Sequence, residues 1–288
     1  MGANAQLAVA LVITIASACL LNWGYLTEHA AASTLPPLSV KHPLRTARLL
    51  LASRRWLIGF ASEVAGWGLY VLALALAPLS LVQAASAGGI GVLAILVGRF
   101  GHGKLKRRER LGVAVSILGL ALLGASLAGG AEHGETGDWV AVLAWVGGSL
   151  VVAFLVVQPG ARILRGGAAH GASAGILFAA GDVATKTVVE GGIHLLMTPL
   201  MLAGYGAGTL VLQMGFQRGG ALTTAGLATL LTNAVPIAAG MSIYGEPLPD
   251  GLAGAARILA FACVIGGAVF LSREEQPAEP QPERLPSS

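Results

Sequence analysis

The sequence carries little charge. Of its 288 residues, 11% are Asp, Glu, Lys or Arg, whereas a soluble globular domain carries about 25%. It also lacks the signatures of soluble enzymes, with no phosphate-binding glycine loop, no HExxH and no GxSxG. Its two cysteines, Cys19 and Cys263, both fall in apolar runs, so no disulfide framework is expected, and no Cys/His cluster has zinc-site spacing. We therefore expect neither an enzyme nor a protein with a bound cofactor.

Apolar residues are abundant instead. They make up 55% of the chain, which also contains 41 glycines. The apolar residues fall into runs of about 20 residues, the length that crosses a bilayer as a helix. The sequence therefore predicts an all-α polytopic membrane protein. The first run has no Lys or Arg before it, so we interpret it as a retained span rather than a signal peptide. The predicted spans are 5–26, 56–77, 79–99, 111–128, 139–157, 172–190, 195–215, 221–243 and 253–271.

The loops differ in charge. Segments 41–55 and 102–110 are basic, whereas AEHGETGD (131–138) and YGEPLPD (244–250) are acidic. Basic loops favour the cytoplasm, and nine spans with the N-terminus outside place every basic loop inside and every acidic loop outside. We therefore expect an integral protein of a bacterial plasma membrane with a cytoplasmic C-terminus. The basic residues are interpreted as membrane anchors and not as a nucleic-acid site.

The main alternative is a tenth span within residues 33–53. Charges in the middle of that segment would each cost about 2.5–3.5 kcal/mol on insertion. We favour an amphipathic segment, PLRTARLLLAS (43–53), on the inner leaflet. The tail 272–288 is rich in Pro and Glu and is expected to be disordered and cytoplasmic.

The spans suggest two halves. ALAPLSLVQAAS, which begins at residue 75, resembles GGALTTAGLATL, which begins at residue 219. Four spans precede the fifth and four follow it, so the odd fifth span would make the two groups face oppositely across the membrane. We therefore expect a transporter domain over 1–271, with repeat one at 1–128, a linker span within 129–170 and repeat two at 171–271. The bilayer is the expected partner, and a homodimer is left open.

Glu63 is an acid placed about seven residues into the second span, roughly 10 Å deep. Gly59, Gly66, Trp67 and Tyr70 share its helical face. Small residues beside an acid leave room for a ligand, water or a close helix. Because ionisable residues within a span are costly, Glu63 is a candidate for the transport site.

Asp182 lies near the centre of the sixth span, with Lys186 one turn later on the same face. Such a pair can neutralise itself as an internal ion pair. Alternatively, both side chains line a water-filled path. The residues alone leave both interpretations open.

The eighth span carries a polar stripe. Its members share one helical face, and Pro236 frees the carbonyl of Thr232, which favours a lined cavity over helix packing alone. The fifth span has almost no polar residues, which is typical of a peripheral helix. The stripe consists of Thr229, Thr232, Asn233 and Pro236, and weaker polar positions are Asn22 in the first span and Gln83 with Ser86 in the third.

Several short motifs resemble the drug/metabolite transporter (EamA-like) superfamily, and in particular NIPA-type magnesium transporters. They are EVAGWGLY (63–70), APLSLVQ (77–83), GKLKRRERLGVAVSILG (103–119), VVAFLVVQPG (151–160) and the surroundings of Lys186. The resemblance implies nine spans, inverted repeats and transport of divalent cations, chiefly magnesium. This chain departs from the family at the end of its first span, where Thr27 and Glu28 replace basic residues.

Three functions remain open at this point. The first is a divalent-cation transporter, with Glu63 and Asp182 as metal ligands and Asn22, Gln83, Thr229 and Asn233 around the ion's water. Magnesium would then be the substrate, since it takes oxygen ligands and keeps several waters. The second is an exporter of a small metabolite or drug, favoured by Lys186 and by the face of Trp67 and Tyr70. The third is a membrane scaffold, in which the charged residues lie in dry helix contacts.

Overall fold

The computed structural model describes residues 3–76, 86, 89–100, 105–126, 139–158, 164, 166–188, 192–243 and 250–272. The described residues form ten α-helices and one 3-10 helix, and no strand occurs among them. The chain is an all-α polytopic membrane protein, as predicted. The helices are α1 (Ala3–Ala32), α2 (Pro43–Ala52), α3 (Arg54–Leu76), α4 (Gly89–Phe100), α5 (Arg107–Ser126), α6 (Trp139–Val156), α7 (Gly166–Val188), α8 (Thr198–Phe216), α9 (Ala221–Ile243) and α10 (Gly251–Ser272), with the 3-10 helix Gly192–Met197 leading into α8.

Nine of these helices fall on the nine predicted spans, and α2 is the exception. By length and composition, five helical segments within the described residues could cross a membrane: Ala8–Ala32, Trp139–Val156, Gly192–Phe216, Ala221–Gly240 and Gly251–Leu271. Their outward faces are apolar. Val12, Phe154 and Leu252, for example, are 67%, 63% and 90% exposed. Such surfaces suit a lipid environment.

The helix α2 settles the alternative of a tenth span. It has ten residues, about half the length needed to cross a bilayer, and a turn at 33–36 separates it from α1. Leu44 and Leu51 are exposed, whereas Leu50 packs with Trp56 and Met214. Segment 33–53 is therefore not a span, and its exposed leucines fit the predicted amphipathic segment.

Helix α1 ends later than predicted. We expected the span to stop at residue 26, before Glu28, but the helix continues to Ala32. The alanines at 30–32 have high helix propensity, and the charge of Glu28 has a polar partner inside the protein. The helix therefore extends six residues beyond the predicted span, from residue 26 to Ala32.

The helices pair in a repeating pattern. The most extensive contacts join α1 to α3, α5 to α10, α7 to α8 and α7 to α9, and α1 also contacts α4. Glycines permit several of these contacts. For example, a Cβ on Gly175 of α7 would lie 2.6 Å from the Ala228 carbonyl oxygen of α9. Helix α6 packs mainly on α7 and exposes Val151 and Leu155.

Candidate functional site

Helices α1 and α3 cross through a reciprocal arrangement of glycine and glutamate. A Cβ on Gly24 of α1 would lie 3.1 Å from the Glu63 nitrogen and 3.3 Å from its Cβ. A Cβ on Gly59 of α3 would lie 2.8 Å from Glu28 Cγ and 3.0 Å from the Glu28 nitrogen. Each glycine therefore makes room for the glutamate of the other helix. The small residues predicted beside Glu63 serve a close helix contact.

Two serine hydroxyl groups form hydrogen bonds between α1 and α3 at the same crossing. Ser17 Oγ donates to the Gly66 carbonyl oxygen at 2.7 Å, and Ser62 Oγ donates to the Leu20 carbonyl oxygen at 2.8 Å. Hydrogen bonds of this kind between membrane helices are worth about 0.6 kcal/mol on average. The backbone positions of Glu28 and Glu63 are therefore fixed by packing and by hydrogen bonds on both sides.

Glu63 faces other acidic and hydroxyl groups. Its side chain is half-buried, and its carboxyl group interacts with the side chains of Tyr25 and Glu28 on α1. The Tyr25 hydroxyl lies within electrostatic range of Asp182 on α7 as well. Tyr25 thus connects the two acids that the sequence singled out, Glu63 and Asp182, and adds a third, Glu28.

Asp182 is held by helix α8. The Tyr205 hydroxyl donates to Asp182 Oδ1 at 2.6 Å, and the Thr185 hydroxyl lies 3.2 Å from the same tyrosine oxygen. Gly181 lets the tyrosine ring approach, because a Cβ there would lie 3.2 Å from the ring. The side chain of Lys186, the predicted ion-pair partner of Asp182, lies outside the described residues.

The other predicted polar positions are less directly connected to the acids. Asn22 is buried, donates to the Ala18 carbonyl oxygen at 2.7 Å and faces Gly89 of α4. Asn233 is half-buried and donates to the Thr229 carbonyl oxygen at 2.7 Å within α9. In the described part of the chain, Thr229, Thr232 and Asn233 make no hydrogen bond to an acidic side chain.

Three more predictions concern aromatic and polar residues. Trp67, one turn after Glu63 on α3, is 63% exposed, so it does not pack between helices as Gly66 does. Tyr70 is half-buried. Gln83 lies outside the described residues.

Sequence reasoning missed Gln213 and Tyr205 on α8 and gave Glu28 no role in a site. Gln213 is completely buried, and its Nε2 donates to Glu28 Oε2, which is also completely buried. A lone glutamine within LVLQMGF (210–216) is a weak signal, but an amide inside an apolar run could have pointed to a partner in another helix. Tyr205 could have been found by its place on the helix that follows Asp182.

The ends of α1 and α8 are also joined. Gln217 Nε2 donates to the carbonyl oxygens of Ala32 and Leu35 at 2.9 and 3.1 Å, and its Oε1 accepts from the Leu38 nitrogen at 2.9 Å. One turn separates Gln217 from Gln213. Gln213 of α8 and Gln217, the residue directly after the helix, therefore hold the last turns of α1 and the segment after it.

A metal at this site would have few protein ligands. Within the described residues, no group of three or more His, Cys, Asp or Glu side chains is placed to hold a metal ion. All described side-chain partners of Glu28, Glu63 and Asp182 are carboxyl, hydroxyl or amide groups. This arrangement suits a cation that keeps its own water and takes only one or two carboxylates, as magnesium does.

Comparison with known proteins gives one informative relative. The chain is 25% identical over 285 residues to "Probable magnesium transporter NIPA9" of Arabidopsis thaliana, and the match covers 91% of this chain and 81% of the relative. No family model matches the chain, and no solved structure matches it. The similarity extends over nearly the whole helical bundle, so it concerns the protein as a whole and not one motif.

Proposed function

We propose that this protein is a membrane transporter of the NIPA type, within the drug/metabolite transporter superfamily, and that it carries magnesium or another divalent cation. The observation that carries this proposal is that Glu28, Glu63 and Asp182, from three different helices, all lie within electrostatic range of the Tyr25 hydroxyl. Acidic side chains inside a membrane bundle cost free energy to bury, and they commonly mark ion pathways. The similarity to a probable magnesium transporter over 91% of the chain supports the same conclusion.

Alternating access is the expected mechanism. The pairing of α1 with α3 and α4 is matched by that of α7 with α8 and α9, and α5 pairs with α10. This pattern supports two repeats of four helices, which would rock against each other around a site between them. A membrane potential of 100 mV supplies about 4.6 kcal/mol for each divalent ion that enters, which is enough to drive uptake.

The exporter stays the second candidate: Trp67, one residue that favoured it, is exposed, and the side chain of another, Lys186, lies outside the described residues. The deciding experiment is transport by the purified full-length protein in lipid vesicles, against a panel of divalent cations, amino acids and cationic drugs. We expect saturable magnesium uptake that an inside-negative potential accelerates. Movement of a metabolite without any cation flux would replace this proposal with the exporter.

A further inference from the structure

Glu28 and Gln213 each present an oxygen without a partner inside the protein. Both side chains are completely buried. The Gln213 amide donates to Glu28 Oε2, whereas Glu28 Oε1 and Gln213 Oε1 have no hydrogen-bond partner among the described residues. Buried polar atoms in proteins are nearly always satisfied, so two unpartnered acceptors joined by one hydrogen bond require an explanation.

The two neighbouring carboxyl groups of Glu28 and Glu63 favour a positive charge between them. An ionised carboxylate in a buried environment is costly unless it is paired. The carboxyl group of Glu63 lies beside that of Glu28 and adds charge of the same sign. The other side chains that bond to the two carboxyl groups, the Gln213 amide and the Tyr25 hydroxyl, are neutral and bring no positive charge. A cation placed among them would neutralise both and would satisfy the unpartnered oxygens.

The ligand types identify the class of cation. Two carboxylates and an amide carbonyl are hard oxygen donors, which magnesium and other hard divalent cations prefer over nitrogen or sulfur. Magnesium takes one or two carboxylates and completes its shell with water. The amide orientation also fits, because the hydrogen bond from Nε2 to Glu28 leaves the carbonyl of Gln213 free to bind a metal.

We propose that Glu28, Gln213 and Glu63 form a divalent-cation site where α1, α3 and α8 meet. The choice of magnesium among divalent cations rests on the proposed function, which it deepens by naming Glu28 and Gln213 as ligands in addition to Glu63. Asp182 is then a neighbouring acid, anchored by Tyr205, and not a ligand of this site. The site joins α1 of the first half to α8 of the second.

The test is direct binding of magnesium to the purified full-length protein in detergent, measured by isothermal titration calorimetry. The variants Glu28→Gln and Gln213→Met keep the size of each side chain and remove one oxygen ligand. We expect each variant to raise the dissociation constant for magnesium at least about tenfold, since removing even an outer-shell partner of a metal lowers its affinity about 10–100-fold. Glu109→Gln, which alters an acid at the start of α5, is expected to bind like the unaltered chain.

Gln217→Met is the matched control for Gln213, because Gln217 directly follows α8, four residues after Gln213, and also bonds to the end of α1. It should leave the magnesium affinity unchanged. If Gln217→Met and Gln213→Met weaken binding equally, Gln213 acts only by holding the helices, and its assignment as a ligand is wrong. If Glu28→Gln binds magnesium as tightly as the unaltered chain, or if the unaltered chain binds no divalent cation, the proposed site is wrong.

Folding and function are separated by two further measurements. Without magnesium, Glu28→Gln should melt no lower than the unaltered chain, since it removes an unpaired buried charge, so weaker binding cannot be attributed to unfolding. Flux in vesicles is measured on the same preparations. Magnesium flux together with binding that does not depend on Glu28 would overturn the site and leave the proposed function standing. Binding that depends on Glu28, without any magnesium flux, would support the site and overturn the proposed function.

Discussion

Gln213 of α8 donates its amide hydrogen to the buried carboxylate of Glu28 of α1, across 185 positions of sequence. One turn later, Gln217, the residue directly after α8, bonds to the carbonyl oxygen of Ala32, where α1 ends. These contacts tie the last turns of α1, including its acid, to the end of α8. They also place a charged group at the junction of the two predicted halves, where a transporter must change shape.

The crossing of α1 and α3 predicts a stability effect at Gly24. In Gly24→Ala, the new methyl group would lie 2.8 Å from the Gly59 carbonyl oxygen, so the helices must separate. We expect a loss of about 1–3 kcal/mol, typical of overpacking, and a lower melting temperature in detergent. Gly68→Ala on α3 is the matched control, since nothing lies within 4 Å of a Cβ there. Equal melting temperatures for the two variants would contradict the close crossing.

The hydrogen bond between Tyr205 and Asp182 predicts a second effect. Tyr205→Phe removes a bond of 2.6 Å to a carboxylate that is partly buried. The expected loss lies between about 0.6 kcal/mol, the average for membrane helices, and about 3 kcal/mol, the upper value for a charged acceptor. Thermal melting measures it.

A double-mutant cycle gives the control for that bond. In an Asp182→Asn background, Tyr205→Phe should cost less than it does alone, because the charged acceptor is gone. An identical cost in both backgrounds would mean that the tyrosine stabilises α7 and α8 by ring packing alone.

The predicted orientation can be tested by cysteine labelling. Cys19 and Cys263 are first replaced by alanine, and Lys41 or Asp250, both exposed, is then changed to cysteine. In intact cells, an impermeant maleimide should label the cysteine at 250 and reach that at 41 only after permeabilisation. The opposite pattern would reverse the topology inferred from the basic loops.

Much of the fold could be predicted from hydropathy and charge. The prediction of 221–243 coincides with α9, and the interpretation of 43–53 as a surface segment is consistent with α2. These predictions succeed because the bilayer requires long apolar helices. Hydropathy did not predict that α1 continues past Glu28 to Ala32, because it cannot register the bond from Gln213, which is far away in sequence.

The site was less predictable. Glu63 and Asp182 could be found because an acid within a span is rare. Their neighbours could not, since Tyr25, Glu28, Tyr205 and Gln213 become significant only when α1, α7 and α8 are packed together. Helical spacing places Trp67 on the face of Glu63 but does not predict that its side chain is exposed, because spacing gives the direction of a side chain and not how much of the helix is covered.

Transport through the acids at the α1–α3 crossing is tested most directly by magnesium uptake into vesicles, with Glu63→Gln beside Glu109→Gln. The two variants make the same chemical change, one inside the cluster and one at the start of α5. We predict that Glu63→Gln abolishes uptake driven by an inside-negative potential, whereas Glu109→Gln transports like the unaltered chain. Uptake by Glu63→Gln at the unaltered rate and affinity would show that Glu63 does not bind the transported cation.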